Sequence, residues 1–133
     1  MRAALLDTSV LVEGRAFVER AVAGFDEVAI SAVSVGELTY GLVAAGADWE
    51  RRFARQARCE WVRRTFVPLP LDTRAAVEYG RIRGLLSLNG RRGGARSLDL
   101  MIAATARANG MALITRDADD LRGAESLVEI VAV

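Results

Sequence analysis

Residues 96–121 read RSLDLMIAATARANGMALITRDADDL, a helix, a turn and a strand in the order that α/β proteins repeat. From Ser97 to Asn109 the apolar residues, Leu98, Ile102, Ala103 and Ala106 among them, predict a helix that is apolar nearly all round, closed by Gly110. Met111 to Thr115 is a short apolar run bounded by turns, the pattern of a buried strand, and Asp117 to Arg122 reads as a short helix. The alternation continues in both directions. Upstream, strands are expected at Ala3–Leu6, Val28–Ile30 and Val67–Leu71, with helices near residues 15–23, 33–45, 48–64 and 74–88. The last of these is capped by Asp72-Thr73 and leads into the glycine-rich loop 89–94. Downstream, Leu127–Val133 is a fifth strand. Strands apolar on both faces and separated by helices predict an α/β fold: a single three-layer domain, residues 1–133, with a mostly parallel five-stranded sheet flanked by helices.

The composition agrees. The chain has 133 residues, 52% of them hydrophobic and 26% charged, which is enough apolar material for one packed core. No apolar run approaches the roughly 20 residues of a membrane span. Asp7 interrupts the N-terminal apolar run too early for a signal sequence, and the single cysteine, Cys59, has no internal partner. A cytoplasmic protein without a membrane partner is the expectation. Cys59, beside Trp61, reads as a packing residue.

There is no histidine, and all 18 basic residues are arginine. A histidine triad, a histidine-ligated zinc and every lysine-dependent chemistry are thereby excluded, including the receiver-domain phosphoacceptor. The sequence Asp7-Thr8-Ser9 likewise lacks the second acid of a D-x-D phosphatase motif. Chemistry here rests on carboxylates, hydroxyls and arginines. Net charge is +1, yet residues 47–96 carry 12 arginines against 5 acids, while each flanking stretch carries 3 against 6.

In a parallel sheet, sites form where strands end and helices begin. Asp7 ends the first strand, Asp117 follows the fourth, and Glu37 and Asp99 sit in the first turns of helices. Each has an ordinary explanation as a helix cap or dipole partner: Asp7-Thr8-Ser9 as a cap cluster, Ser34-x-x-Glu37 as a capping box, Asp99 in a first turn, Asp117-x-x-Asp120 at the last helix. Together they are expected to converge on one end of the sheet, where like charges are costly unless a cation neutralises them. Oxygen ligands without histidine or cysteine favour Mg²⁺ or Mn²⁺. Glu37 is expected on the helix side shared with Val33 and Tyr40, near the core boundary, and Gly36 and Gly41 suggest tight packing or close approach to something.

The arginines of 48–64 read first as a solvated face. Arg91, Arg92 and Arg96, on the loop before Asp99, and Arg116, before Asp117, are placed to hold phosphodiesters at the rim of an acidic pocket.

The stretches LLDTSVLVE (5–13), ISAVSVGELTYGL (30–42) and RSLDLMIAATARANGMALITRDADDL resemble the successive motifs of PIN-domain ribonucleases, in particular the VapC toxins of bacterial toxin-antitoxin pairs. The resemblance spans residues 2 to about 131 and is weakest over 48–92. It implies that Asp7, Glu37, Asp99 and Asp117 form a metal-holding quartet supported by the hydroxyls of Thr8 and Thr115. Many relatives carry Asn at the position of Asp117 and an acid at that of Asp120, so either residue can be the fourth acid, while Asp119 is expected to face solvent. The resemblance further implies an RNA substrate, with tRNA or ribosomal RNA the expected target, a homodimer, and a VapB-type antitoxin that places a basic side chain in the site.

With neither histidine nor lysine, no side chain serves as a base poised near neutral pH, so a bound metal that lowers the pKa of water is the expected source of the nucleophile. Attack by water leaves a 5′-phosphate and a 3′-hydroxyl. Two other readings compete: a metal-dependent DNA or flap nuclease, for which 133 residues leave little room, and a non-catalytic module whose acidic pocket binds a basic partner.

Overall fold

The computed structural model of the chain describes residues 1–90 and 96–133. The elements run β1 (Ala3–Leu6), α1 (Thr8–Leu11), α2 (Arg15–Ala21), β2 (Glu27–Ser31), α3 (Ala32–Ala44), α4 (Trp49–Thr65), β3 (Pro68–Leu69), α5 (Thr73–Leu88), α6 (Ser97–Ala108), β4 (Ala112–Thr115) and β5 (Ile130–Ala132), with a 3₁₀ turn at Ala118–Leu121. Among the described residues the five strands form one sheet in the order β3-β2-β1-β4-β5, and all four pairings are parallel.

Alternation along the strands assigns the two faces. Leu5, Ala29 and Leu113 share one core with Ile82 and Leu86 of α5 and Leu100, Ile102 and Ala103 of α6. Their neighbours Ala4, Leu6, Ile30, Ala112 and Ile114 point the other way, into a core with Val10, Leu11, Val18, Leu38 and Val62 of α1 to α4. Register keeps the layers continuous, since Leu6 pairs with Ile30 on one side and Ile114 on the other. The helices therefore form two layers around a sheet buried on both faces, as its uninterrupted apolar strands require.

Two strands are shorter than the sequence pattern predicts. The run 67–71 holds both prolines of the chain, and only Pro68 and Leu69 pair; a proline lends no N–H to a ladder and is accommodated here because β3 is an edge strand. In 127–133, Leu127 and Val128 belong to a turn whose N–H groups donate to the Ala124 carbonyl, so pairing with β4 begins only beyond Val128. The N-terminal segment contains an additional short helix, α1, separated from α2 by Gly14, whose φ of +95° suits a residue without a Cβ. Leu98 is 43% exposed, so the apolar character of α6 is complete only from Leu100 onward. No helix among the described residues is long and apolar enough to cross a membrane.

Sheet order reverses direction at β1: the chain moves outward to β2 and β3, then returns to place β4 and β5 on the other side. The gap between the carboxyl ends of β1 and β4 is thus the switch point at which α/β sheets build sites.

Candidate active site

Asp7 is the first residue beyond β1, and its N–H donates to the Ile114 carbonyl at 2.9 Å, fixing it beside the end of β4. It occupies the N-cap position of α1, yet its side chain makes no cap hydrogen bond. The carboxylate is 4% exposed and is held instead by two hydroxyls, Ser9 Oγ at 2.7 Å and Thr115 Oγ1 at 2.8 Å, both donating to Oδ2. Oδ1 has no hydrogen-bond partner among the described residues. Thr115, fully buried, also accepts the Asp117 N–H at 3.0 Å, so one hydroxyl ties the first acid to the start of the last turn.

Glu37 is reached from α3. The sequence suggested a Ser34-x-x-Glu37 capping box, but the helix begins earlier: Ser31 is the N-cap and accepts the Val33 N–H at 3.0 Å. Ser34 and Glu37, three residues apart on one helical face, are free for another purpose. Thr8 Oγ1 donates to Glu37 Oε1 at 2.7 Å and lies 2.8 Å from the buried Ser34 hydroxyl. Tyr40 is 74% exposed rather than at the core boundary, and a Cβ added at Gly36 or Gly41 would meet nothing within 4 Å, so neither glycine serves tight packing.

Asp99 is the third residue of α6, half-buried, with Oδ2 accepting the Arg96 N–H at 3.3 Å. Burial, and then the negative charges of Asp7 and Glu37, raise its pKa above the ordinary carboxylate value against the pull of that N–H and the Arg96 guanidinium. Asp117, exposed at the cap position of the 3₁₀ turn without a cap hydrogen bond, is raised by burial and by Asp7 and Asp120. Charges on four different elements therefore act on one another across a common space.

That space is a cleft of about 370 Å³ lined by Asp7, Thr8, Ser9, Val12, Glu37, Arg96, Asp99, Asp117 and Asp120. All five acids singled out in the sequence line it, and so does Arg96. Arg116 does not: it pairs with Glu13 and lies over the Phe17 ring at 5.7 Å, its backbone N–H donating to Ser9 Oγ. It buttresses the site from behind. Arg91 and Arg92 lie outside the described residues, and Asp119 is exposed and paired with Arg122, as expected of a solvent-facing acid. Ser9 and Ser34 contribute without having been singled out individually; their signal was small hydroxyl residues within the same segments as the acids.

The donor set suits a hard divalent cation, being carboxylate and hydroxyl oxygen throughout. Among the described residues no three carboxylates close into a ready cage.

The PIN domain family matches residues 4–125. Ribonuclease VapC5 of Mycobacterium tuberculosis is 40% identical over 98% of this chain and 96% of its own length. The crystal structure of VapBC-5, a member of the VapBC family of toxin-antitoxin systems from the same organism, superposes with a TM-score of 0.83 at 37% identity, covering 100% of both chains. DNA-bound VapBC from Salmonella typhimurium superposes with a TM-score of 0.74 at 25% identity over 98% of this chain and 97% of that one. Family match, identity over nearly the full length and the parallel sheet lead to one conclusion: the chain belongs to the PIN-domain family, among its VapC members.

Proposed function

We propose that this protein is an endoribonuclease toxin of a type II toxin-antitoxin system that hydrolyses RNA phosphodiesters with a divalent metal and is restrained by a VapB-type antitoxin. The observation that carries the reading is the convergence of Asp7, Glu37, Asp99 and Asp117 on one cleft at the sheet's switch point. Full-length similarity to a VapC ribonuclease and to toxin-antitoxin complexes supports the substrate class and the partner.

Asp7 and Asp99 would hold Mg²⁺ or Mn²⁺, with Glu37 and Asp117 orienting water or completing the shell and Asp120 the alternative fourth acid. When bound, the ion supplies the lowering of water's pKa for which a chain without histidine and lysine has no side chain. The chain's own contribution is preorganisation. Ser9 and Thr115 fix one oxygen of Asp7, so the other is presented in a single direction. Thr8 does the same for Glu37. Arg96 at the rim balances the acids and is available to a phosphate. A basic antitoxin side chain fits the same negative cleft, so antitoxin and RNA compete for it.

Purified, antitoxin-free protein incubated with total tRNA and ribosomal RNA tests the reading, with Mg²⁺, Mn²⁺ or chelator and Asp99→Asn as control. Discrete metal-dependent cuts bearing 5′-phosphates, absent in the variant, are expected. Equal cutting by folded Asp99→Asn overturns the assignment. Tight binding of a basic partner in chelator, with no RNA cut under any condition, favours the non-catalytic module.

A further inference from the structure

A second groove opens directly from the acidic cleft. It encloses about 370 Å³ between α3 and α4, and Thr8, Val12 and Glu37 line both spaces. Beyond that shared wall its lining changes character: Leu38, Gly41 and Ala44 make an apolar floor, Cys59 lies along it, and Tyr40, Arg55 and Arg58 stand at its edges. The size matches the low end of the roughly 300–1,000 Å³ typical of small-ligand sites, room for one nucleotide and not for several.

Three features lack an explanation in the fold. Tyr40 is 74% exposed and its ring makes no ring contact among the described residues. Gly41 sits inside a helix, where glycine is unfavourable, although a Cβ there would meet nothing within 4 Å. Arg58 makes no hydrogen bond or ion pair among the described residues, whereas Arg55 is fixed by donation to the Gly41 carbonyl. The surrounding helix carries six arginines against two glutamates, a positive wall beside a negative cleft. An apolar slot with an open aromatic ring and an uncommitted guanidinium group, that of Arg58, is the combination that binds single-stranded nucleic acid, by stacking bases and holding the backbone.

We propose that the groove between α3 and α4 is a base-binding subsite for the nucleotide next to the scissile phosphate, in which Tyr40 stacks on the base, Gly41 leaves room for it and Arg58 holds the adjoining phosphate. The subsite rests on the ribonuclease reading and extends it: the acids supply the cutting and this groove supplies a preference for an unpaired nucleotide at the cut. A base inside a duplex cannot reach it without leaving its stack, so cleavage is directed to loops and single strands.

The test uses random-sequence single-stranded RNA 12-mers, with binding to Asp99→Asn protein read by fluorescence anisotropy and cleavage of total tRNA and ribosomal RNA read in the Asp99 background. Tyr40→Ala and Gly41→Leu each raise Kd and KM about tenfold, the loss expected when one base gives up its stacking partner, with kcat changed less than about twofold. Tyr40→Phe retains the parent's affinity. Arg58→Gln lowers the slope of log Kd against log salt by about 0.7, one phosphate contact on a single strand. Because Tyr40 is exposed, Arg58 is only half-buried and makes no ion pair among the described residues, and replacing a helical glycine favours the helix, these variants fold as the parent does, which thermal denaturation verifies. Unchanged RNA affinity in Tyr40→Ala and Gly41→Leu, with the parent still binding and cutting RNA, overturns the subsite alone. Unchanged RNA affinity together with lost antitoxin binding assigns the groove to a protein instead. A parent that neither binds nor cuts RNA overturns the ribonuclease reading itself.

Discussion

Thr115→Val isolates the device that presents Asp7. The threonine is fully buried, and valine replaces its hydroxyl with a methyl of nearly equal size, so packing is preserved while two hydrogen bonds vanish: the one donated to Asp7 Oδ2 at 2.8 Å and the one accepted from the Asp117 N–H at 3.0 Å. A bond to a buried charge contributes about 1.5–3 kcal/mol. The Asp117 N–H lies at the exposed rim, where water replaces the lost acceptor, so its share is small. Ser9 continues to bond Oδ2 and limits the damage. The expected cost is therefore about 2 kcal/mol, a melting point lowered by about 8 °C for a domain of this size. In an Asp7→Asn background the acceptor is neutral, so the same substitution costs under about 1 kcal/mol. A double-mutant cycle in denaturant, in chelator so that no cation contributes, measures the difference. Cleavage falls with Thr115→Val because the carboxylate is no longer held in one direction. Equal costs in the two backgrounds would show that the hydroxyl does not act on Asp7, and the preorganisation argument fails.

Asp99→Asn is expected to raise the melting temperature of the cation-free protein while abolishing cleavage, because it removes a charge disfavoured by burial, Asp7 and Glu37; a calorimetric scan in chelator checks the first and the RNA assay the second. The pH dependence follows with the same sign. A carboxylate whose folded pKa is raised contributes stability that is fully present below its unfolded value of about 3.9 and is lost as pH rises through the folded value. Asp99, raised first by burial and then by Asp7, therefore makes cation-free protein lose stability relative to Asp99→Asn as pH rises from about 4 through the folded value, and Mg²⁺ narrows the gap; Asp117, raised by the same two causes, acts with the same sign in both proteins. Asp72 has the opposite sign: the Ala75 N–H holds its carboxyl below the usual value, so its contribution to α5 is lost as pH falls through the folded value, and Asp72→Ala lowers stability at neutral pH without changing cleavage. Leu6→Ala, fully buried in the layer with Ile30 and Ile114, costs about 3 kcal/mol by urea denaturation.

What the amino-acid sequence determined alone is whatever depends on residues near one another in the chain. The apolar runs of β1 and β4, the near-continuous apolar α6 and the cap of α5 by Asp72 are local patterns with local causes, and the alternation of strand and helix then implies a parallel sheet. The acids could be picked out for the same reason, since each stands at a strand end or a helix start. Only the tertiary structure decided how those acids are used. Thr8 meets Glu37 across 29 residues and Thr115 meets Asp7 across 108, partnerships that no spacing along the chain encodes. The same holds for the errors. Ser34 and Glu37 have the spacing of a capping box, but Ser31 outcompetes Ser34 as the cap, and Thr8, delivered by β1, takes the two side chains instead. Arg116 reads as a rim cation until Glu13, 103 residues away, pairs with it. Gly41 left tight packing and close approach both open and Tyr40 marked the core boundary, and only the packing of α4 against α3 leaves a groove beside an exposed Tyr40 and an uncrowded Gly41. Hydrogen bonds and charge pairs are satisfied by whichever groups the sheet brings within about 3 Å, so the candidate acids could be picked out in the sequence while their connections arose only when β1 and β4 came to lie side by side.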